Sequence, residues 1–97
     1  MKVSVRFFTS LRELTGKKEK TLEFSDDENV TVAKILEVLS KNYGKCFVDY
    51  VYDSKTGEVK GFLQFLINGT SASTIEGLHT ELKNGDILAI LPPVGGG

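Results

Sequence analysis

The residues best suited to chemistry stand at the end of the sequence, which reads Pro92-Pro93-Val94-Gly95-Gly96-Gly97. Glycine has no side chain to bury and loses much conformational freedom when it is fixed, so we expect residues 92–97 to form a flexible tail. Without Cβ atoms the glycines can thread a narrow channel in a partner enzyme, while the prolines keep the exit of the tail stiff and extended. The tail is therefore predicted to deliver the Gly97 carboxylate to a buried reaction centre.

The chemistry of this tail requires another protein. A carboxylate is a poor acyl donor, and adenylation at the expense of ATP is the usual way to activate it. The chain contains no GxxxxGKS or GxxxxGKT loop, and its glycines before the tail are scattered through turns rather than gathered into a phosphate cradle. We therefore expect this chain to bind no cofactor, and a partner adenylating enzyme to handle the ATP.

The other reactive side chains predict no catalytic site. With one histidine, His79, and one cysteine, Cys46, no Ser-His-Asp or Cys-His arrangement is persuasive. We expect His79 to be exposed or to cap a helix. Cys46 has no second cysteine or histidine at metal-ligand spacing, so we expect a partly buried structural residue. The chain is thus predicted to hold no metal and to be no stand-alone enzyme.

Length and charge limit the possible partners. A chain of 97 residues has the size of one domain with one core. Its net charge of −1 provides no electrostatic footprint for nucleic acid or for an anionic membrane. No apolar run has the length of a signal peptide or the ~20 residues of a membrane span, so we expect a cytoplasmic protein that binds neither.

Four strands are predicted, the first two from period-two alternation of apolar and polar residues and the other two from short apolar runs bounded by turn residues. In the first strand Val3, Val5 and Phe7 form the side that faces the core. The last strand is apolar at every position, which is typical of the middle of a sheet, and we expect it to run parallel to the first. The first two strands are close enough in sequence to pair antiparallel. The four strands span residues 2–8, 20–24, 62–67 and 87–91.

A long helix is predicted over residues 32–43, with Thr31 as its N-cap and Gly44 as its end. One helix packed on one face of a mixed sheet of four to five strands is an α+β fold of the β-grasp, or ubiquitin-like, type. We expect residues 1–91 to form this domain and residues 92–97 to form the tail.

The connections are less regular. A short helix over residues 11–14 is expected to be capped by Thr9 and Ser10 and closed by Gly16 in the left-handed conformation. Residues 45–61 are compatible with a hairpin or with a helical turn followed by a loop.

Five motifs follow one another along the chain. They are Arg6-Phe7-Phe8, Leu11-Arg12-Glu13-Leu14-Thr15-Gly16, Ile67-Asn68-Gly69, Leu82-Lys83-Asn84-Gly85-Asp86 and Leu91-Pro92-Pro93-Val94-Gly95-Gly96-Gly97. Over essentially its whole length the chain resembles the small, sulfur-carrying subunits of molybdopterin synthase and the related archaeal ubiquitin-like small modifiers. It departs from that pattern in a longer stretch at residues 45–61 and in Gly95, where the family often has a hydroxyl residue.

The resemblance implies a mechanism in which an adenylating enzyme similar to ubiquitin-activating enzymes adenylates Gly97. Exchange of AMP for sulfur then gives a C-terminal thiocarboxylate. The tail would enter the large subunit of molybdopterin synthase and donate sulfur to a pterin precursor of the molybdenum or tungsten cofactor. In that complex this chain is the non-catalytic small subunit, a carrier of sulfur.

Two other roles use the same tail. A protein modifier would form an isopeptide bond between Gly97 and a lysine of a target protein. A third role is sulfur carriage for thiamine synthesis or tRNA thiolation, and Pro92-Pro93-Val94 matches the molybdopterin type better.

An apolar patch is expected on the open face of the sheet beside the tail. Phe8 and Leu66 fall on the side of their strands away from the core, and the same parity includes Phe62. Leu91 at the end of the last strand is expected to join Phe8. We predict that these four residues contact a partner protein; the alternative is that residues 45–61 cover them.

Overall fold

The computed structural model describes residues 1–92, which form a five-stranded sheet, three α-helices and two 3₁₀ helices. The strands are β1 (Lys2–Phe7), β2 (Glu19–Glu23), β3 (Gln64–Ile67), β4 (Thr70–Ser71) and β5 (Ile87–Leu91). The α-helices are α1 (Thr9–Thr15), α2 (Val32–Tyr43) and α3 (Lys45–Val51), and the 3₁₀ helices are Ala72–Thr74 and Gly77–His79. None of the helices in this part of the chain is long and apolar enough to cross a membrane.

The strands are arranged in the order β2-β1-β5-β3-β4. β1 pairs antiparallel with β2 and parallel with β5, while β3 pairs antiparallel with β5 and β4. The apolar last strand therefore lies in the middle of the sheet and parallel to the first, as its composition predicted. With α2 packed on one face, this is the β-grasp fold expected from the sequence.

One face of the sheet and the apolar side of α2 enclose the core. Alternate residues of the two central strands, among them Val5, Phe7 and Leu88, have no solvent exposure. From α2 the same core receives Val32, Ile35, Leu36 and Leu39, each fully buried. Since burial of a large apolar side chain stabilises a fold by about 1.5–3 kcal/mol, this layer holds α2 against the sheet.

The long helix has the predicted limits. The Thr31 hydroxyl oxygen accepts a hydrogen bond from the Lys34 backbone N–H at 3.1 Å, and the helix ends at Gly44. The predicted capping of the short helix α1 is wrong, because α1 begins at Thr9 and its N-cap is Phe8 without a side-chain cap. Gly16 does close α1, with a left-handed φ of 73°.

Residues 45–61 combine both predicted possibilities. They begin with α3, whose Phe47 ring lies 6.2 Å from the Tyr43 ring, and Tyr43 in turn packs edge-to-face on Phe7 at 6.0 Å. A tight turn follows, closed by an isolated bridge between Tyr52 and Val59. Because Phe7 faces the core, α3 lies on the helix side of the sheet.

The third strand is shorter than predicted. β3 begins at Gln64, since the Leu63 N–H donates to the Lys60 carbonyl at 3.3 Å in a turn instead of joining the ladder. The strand ends as expected in Asn68-Gly69, where both residues have positive φ angles of 51° and 87°. Positive φ at both turn positions is the geometry that joins two strands by a two-residue hairpin, and β4 follows directly.

Candidate functional site

The predicted reactive tail begins where β5 ends. Pro92 is the last described residue and is half-buried after Leu91. The remaining tail residues, Pro93, Val94, Gly95, Gly96 and Gly97, lie outside the described residues. Their roles in threading and acyl transfer therefore remain predictions, and the described residues show the surface from which the tail leaves.

The root of the tail lies at one end of the sheet, between two other strands. Because β5 runs parallel to β1, its end stands beside the end of β1, with Ile90 opposite Phe7. On the other side β3 runs antiparallel, so that its first residue, Gln64, lies opposite Leu91. A partner that receives the tail must therefore meet the end of β1 and the start of β3.

The face of the sheet away from α2 carries a shallow concavity that extends from Phe8, after the end of β1, to Asn68, beside the start of β5. Its volume is about 250 Å³. Three adjacent strands contribute in register, with Ala89 of β5 between Arg6 of β1 and Leu66 of β3. The full lining is Arg6, Phe8, Leu66, Asn68, Gly69, Ile87 and Ala89. We refer to this as the open-face concavity.

Two of the four predicted contact residues, Phe8 and Leu66, meet in the open-face concavity. Leu91 has the parity of Ile87 and Ala89, which places it on the same face, beyond the lining. Phe62 precedes β3, so strand parity does not locate it; its ring is half exposed and lies 5.8 Å from the Lys60 ammonium. Whether these residues contact a partner stays a prediction.

Residues 45–61, which the alternative prediction placed over these residues, do not cover the open-face concavity. The Phe47 ring of α3 packs on the helix side of the sheet. The residues after α3 border a recess against Ala33 and Leu36 of α2. Of the segment 45–61, α3, Tyr52 and residues 57–59 thus lie against the helix layer, and Lys60 lies beside Phe62.

Asn68 fastens one end of the open-face concavity. Its side-chain oxygen accepts the Ile87 N–H at 3.0 Å, and its side-chain nitrogen donates to Asp86 at 2.9 Å. Its own backbone N–H donates to the Ile87 carbonyl at 2.9 Å. The turn after β3 is therefore tied to the start of β5. Sequence reasoning recognised Asn68 only as a turn residue, because its partners are far along the chain.

Arg6 and Ala89 were also missed as lining residues. The Arg6 guanidinium forms an ion pair with Glu19 at 3.1 Å across β1 and β2. Alternation showed that Arg6 points away from the core, but the β3 register that brings Leu66 opposite Ala89 was not predictable from local pattern.

The other reactive side chains are separate from this site. His79 is exposed in the second 3₁₀ helix, in agreement with the prediction. Cys46 is exposed rather than partly buried, because its neighbour Phe47 occupies the core side of α3. Within residues 1–92, no three His, Cys, Asp or Glu side chains converge as metal ligands do.

A family profile and individual relatives of known description agree on the family to which the chain is similar. The sequence profile described as the ThiS family matches residues 5–97. The chain is 33% identical to small archaeal modifier protein 3 of Haloferax volcanii over 97 residues, which is the whole of both chains. It is 31% identical to the sulfur carrier protein CysO of Mycobacterium tuberculosis, again over the whole of both chains.

Solved structures agree in fold. The crystal structure of small archaeal modifier protein 1 from Haloferax volcanii superposes with a TM-score of 0.82 at 26% identity and covers all of both chains. A protein of Pyrococcus furiosus, provisionally named molybdopterin converting factor subunit 1, superposes with a TM-score of 0.67 at 25% identity. That match covers 97% of this chain and 99% of the other.

Proposed function

Because the chain belongs to the ThiS family of ubiquitin-like sulfur carriers and small modifiers, we propose that it carries sulfur as a thiocarboxylate on Gly97. The observation that supports this most is that the family match extends to residue 97 and so includes the Pro92-Pro93 pair and the glycines. The chain supplies the reactive group, and partner enzymes supply the acid, the base and the substrate pocket.

The first step is activation by an adenylating enzyme. A carboxylate oxygen of Gly97 attacks the α-phosphorus of ATP, so that a carbonyl–O–phosphorus linkage forms and pyrophosphate leaves. Hydrosulfide, delivered by a sulfur-donating partner, then attacks the acyl carbon. A carbon–sulfur bond forms, the bond to AMP breaks, and the product is the thiocarboxylate. AMP is a far better leaving group than oxide, which is why ATP is required.

The tail residues make this chemistry accessible. Gly95 and Gly96 add no side-chain width, so the chain end fits a channel too narrow for other residues. The rings of Pro92 and Pro93 restrict the backbone torsions of these residues, which would favour an extended start of the tail. The open-face concavity, with Phe8 and Leu66, is the surface that an enzyme holding the tail would contact.

For the acceptor we favour a pterin precursor of the molybdenum or tungsten cofactor. Two observations support this choice: the Leu91-Pro92-Pro93-Val94 sequence before the glycines and the structural likeness to the Pyrococcus furiosus protein. In that role the partners are the adenylating enzyme and the large subunit of a molybdopterin synthase.

A second candidate is a protein modifier. The 33% identity over the full length of small archaeal modifier protein 3 favours it. The same acyl adenylate would then react with a target lysine, with the amine nitrogen replacing AMP in an isopeptide bond. The two roles share the activation step and differ in the nucleophile that ends it.

Intact mass spectrometry of the protein from its source cells tests the carrier role. A mass increase equal to the replacement of one oxygen by one sulfur, lost on treatment with an alkylating agent that caps thiocarboxylates, is the expected result. Absence of that species in cells that are making the cofactor would count against the proposal.

The modifier role needs a different readout. The last Lys or Arg in the chain is Lys83, so trypsin would leave residues 84–97 on any acceptor lysine. A Val94→Lys variant shortens that remnant to Gly95-Gly96-Gly97, which is readily mapped by peptide mass spectrometry. Lysines bearing this remnant in cells that express the variant would support the modifier.

Deletion of Gly96 and Gly97 tests whether the tail acts in sulfur transfer without contributing to the stability of the fold. We expect sulfur transfer to be abolished, while the free energy of unfolding changes by less than about 0.5 kcal/mol, because terminal glycines bury no side chain. Urea denaturation measures the second quantity. A loss of several kcal/mol would show that the tail is structural.

A further inference from the structure

A cluster of cations lies at the end of the sheet where the tail begins. α1 and the turn after it connect the end of β1 to the start of β2, at the end of the sheet where β5 also ends. This connection contains Arg12, Lys17 and Lys18, all exposed. Between residues 6 and 20 there are five Lys or Arg and two Glu, so this end of the molecule is positive although the chain as a whole is not.

Part of this cluster forms a pocket with defined walls. Its volume is about 260 Å³, and it is lined by Arg6, Phe7, Phe8, Arg12, Lys18 and Glu19. We call it the basic pocket. Backbone hydrogen bonds hold its walls, since the Phe7 N–H donates to the Lys18 carbonyl at 2.9 Å and the Gly16 N–H donates to the Arg12 carbonyl at 2.9 Å. The Arg12 guanidinium lies 6.0 Å from the Phe8 ring centroid.

The charges of the basic pocket are not all neutralised. Arg6 is paired with Glu19 at 3.1 Å, which cancels one cation with one carboxylate. Arg12 and Lys18 form no ion pair with any residue among 1–92. The pocket therefore presents two exposed cations without an ion pair beside an aromatic ring, and these cations attract a carboxylate.

The opposite end of the molecule has an excess of carboxylates, although Lys2 pairs with Glu23 and the Met1 ammonium pairs with Asp26. Residues 23–28 read Glu-Phe-Ser-Asp-Asp-Glu and contain no cation. They follow β2 at the start of β1, where the Phe24 N–H donates to the Met1 carbonyl at 2.8 Å. The charge separation thus runs along the strands, with the positive end at the root of the tail. Such a distribution orients a protein as it approaches a partner of complementary charge.

We propose that the basic pocket binds carboxylate side chains at the rim of the channel through which the adenylating enzyme takes in the tail; this rests on the function proposed above. Any protein that draws in the tail brings its rim against the end of β1. A nucleic acid fits less well, because the acidic segment at residues 23–28 and Glu13 beside the pocket would repel a phosphate backbone extended across the surface.

The test is ATP–pyrophosphate exchange by the adenylating enzyme of the source organism, with the full-length chain as substrate. The variant Arg12→Glu with Lys18→Glu reverses the sign of these two charges in the basic pocket. Its matched control, Lys55→Glu with Lys83→Glu, makes the same change in net charge at exposed positions in other loops. We expect KM for the reversed variant to rise about tenfold while kcat stays within about twofold, because contacts at a rim change encounter more than chemistry. The increase of KM with added salt should be steep for the wild type and nearly flat for the variant.

The outcomes separate this proposal from the general function. An unchanged KM for the reversed variant, or an equal rise in KM for the control, would overturn the proposed role of the basic pocket. Exchange with the wild-type chain would still support the proposed function as a sulfur carrier. No exchange with the wild-type chain would overturn both. Loss of binding to a single-stranded RNA oligonucleotide, with KM unchanged, would identify a nucleic-acid surface and overturn the proposal. The milder variant Arg12→Gln with Lys18→Gln should give a smaller rise in KM and guards against misfolding, which thermal denaturation also checks.

Discussion

The two faces of β5, the middle strand of the sheet, are both apolar, yet within residues 1–92 only one of them is covered by helices. Leu88 and Ile90 of β5 have no solvent exposure beneath the helices, whereas Ile87, Ala89 and Leu91 between them are partly exposed on the open face. On the helix face the apolar side chains are buried, as in any folded core. The apolar residues of the open face contribute less to burial, and this difference is the reason to expect a partner there.

Neighbouring phenylalanines show the same contrast within two residues. Phe7 is fully buried against Tyr43, while Phe8 is half-buried at the edge of the open-face concavity. A single step along an extended chain moves a side chain from one face to the other. Matched substitutions at these two positions therefore separate a role in stability from a role in contact.

The largest effect is expected for Phe7→Ala. Removal of a fully buried phenylalanine leaves a cavity, so we expect the free energy of unfolding to fall by about 4 kcal/mol, against about 1 kcal/mol for Phe8→Ala. Urea denaturation of both variants measures the difference. Equal losses would mean that both faces of β1 contribute to the core, and the contrast between them would fail.

A smaller effect on stability and a larger one on activity are expected for Leu66→Asp on the open face. We expect about 1 kcal/mol of destabilisation and about a tenfold increase in KM for the adenylating enzyme, because a charge replaces an apolar contact in the open-face concavity. Thr21→Asp places the same charge on β2 of the same face, away from the concavity, and serves as the control. If both variants retain wild-type KM, the open face is not the contact surface.

The smallest effect on stability is expected at the end of the sheet far from the tail, where the Met1 ammonium and Asp26 form an exposed ion pair. The Met1 ammonium donates a hydrogen bond to Asp26 at 2.9 Å, and this bond, together with the positive charge, lowers the pKa of the Asp26 carboxyl. A lowered folded-state pKa adds stability above the unfolded pKa. That stability is lost as pH falls through the folded value.

The variant Asp26→Asn removes this part of the acid dependence. We expect its melting temperature to fall less than that of the wild type as the pH is lowered through the acidic range, with little difference near neutrality. Asp49→Asn, at an exposed position on α3, is the control. Parallel curves for wild type and Asp26→Asn would show that the exposed pair does not contribute to stability.

Much of the fold was predictable because its signals are local. Alternation located β1 and β2, a continuous apolar run located β5, and the Thr31 hydroxyl and Gly44 marked both ends of α2. The start of β3 and the cap of α1 were mispredicted, since each depends on a backbone hydrogen bond, from Leu63 and Leu11 respectively, that competes with the pattern in the sequence. The exposure of Cys46 depended on which side of α3 met the core.

The sequence by itself determined the apolar patterns of the strands and the family, and it is the source of the predicted tail, because these are properties of residue type and order along the chain. Only the tertiary structure decided that Phe8 and Leu66 share one concavity and that Arg12 and Lys18 line one pocket with Phe8 at the end of β1. These groups come together through the parallel pairing of β5 with β1 and the antiparallel pairing with β3. Register between distant strands is set by packing of the whole core, so no local pattern encodes it.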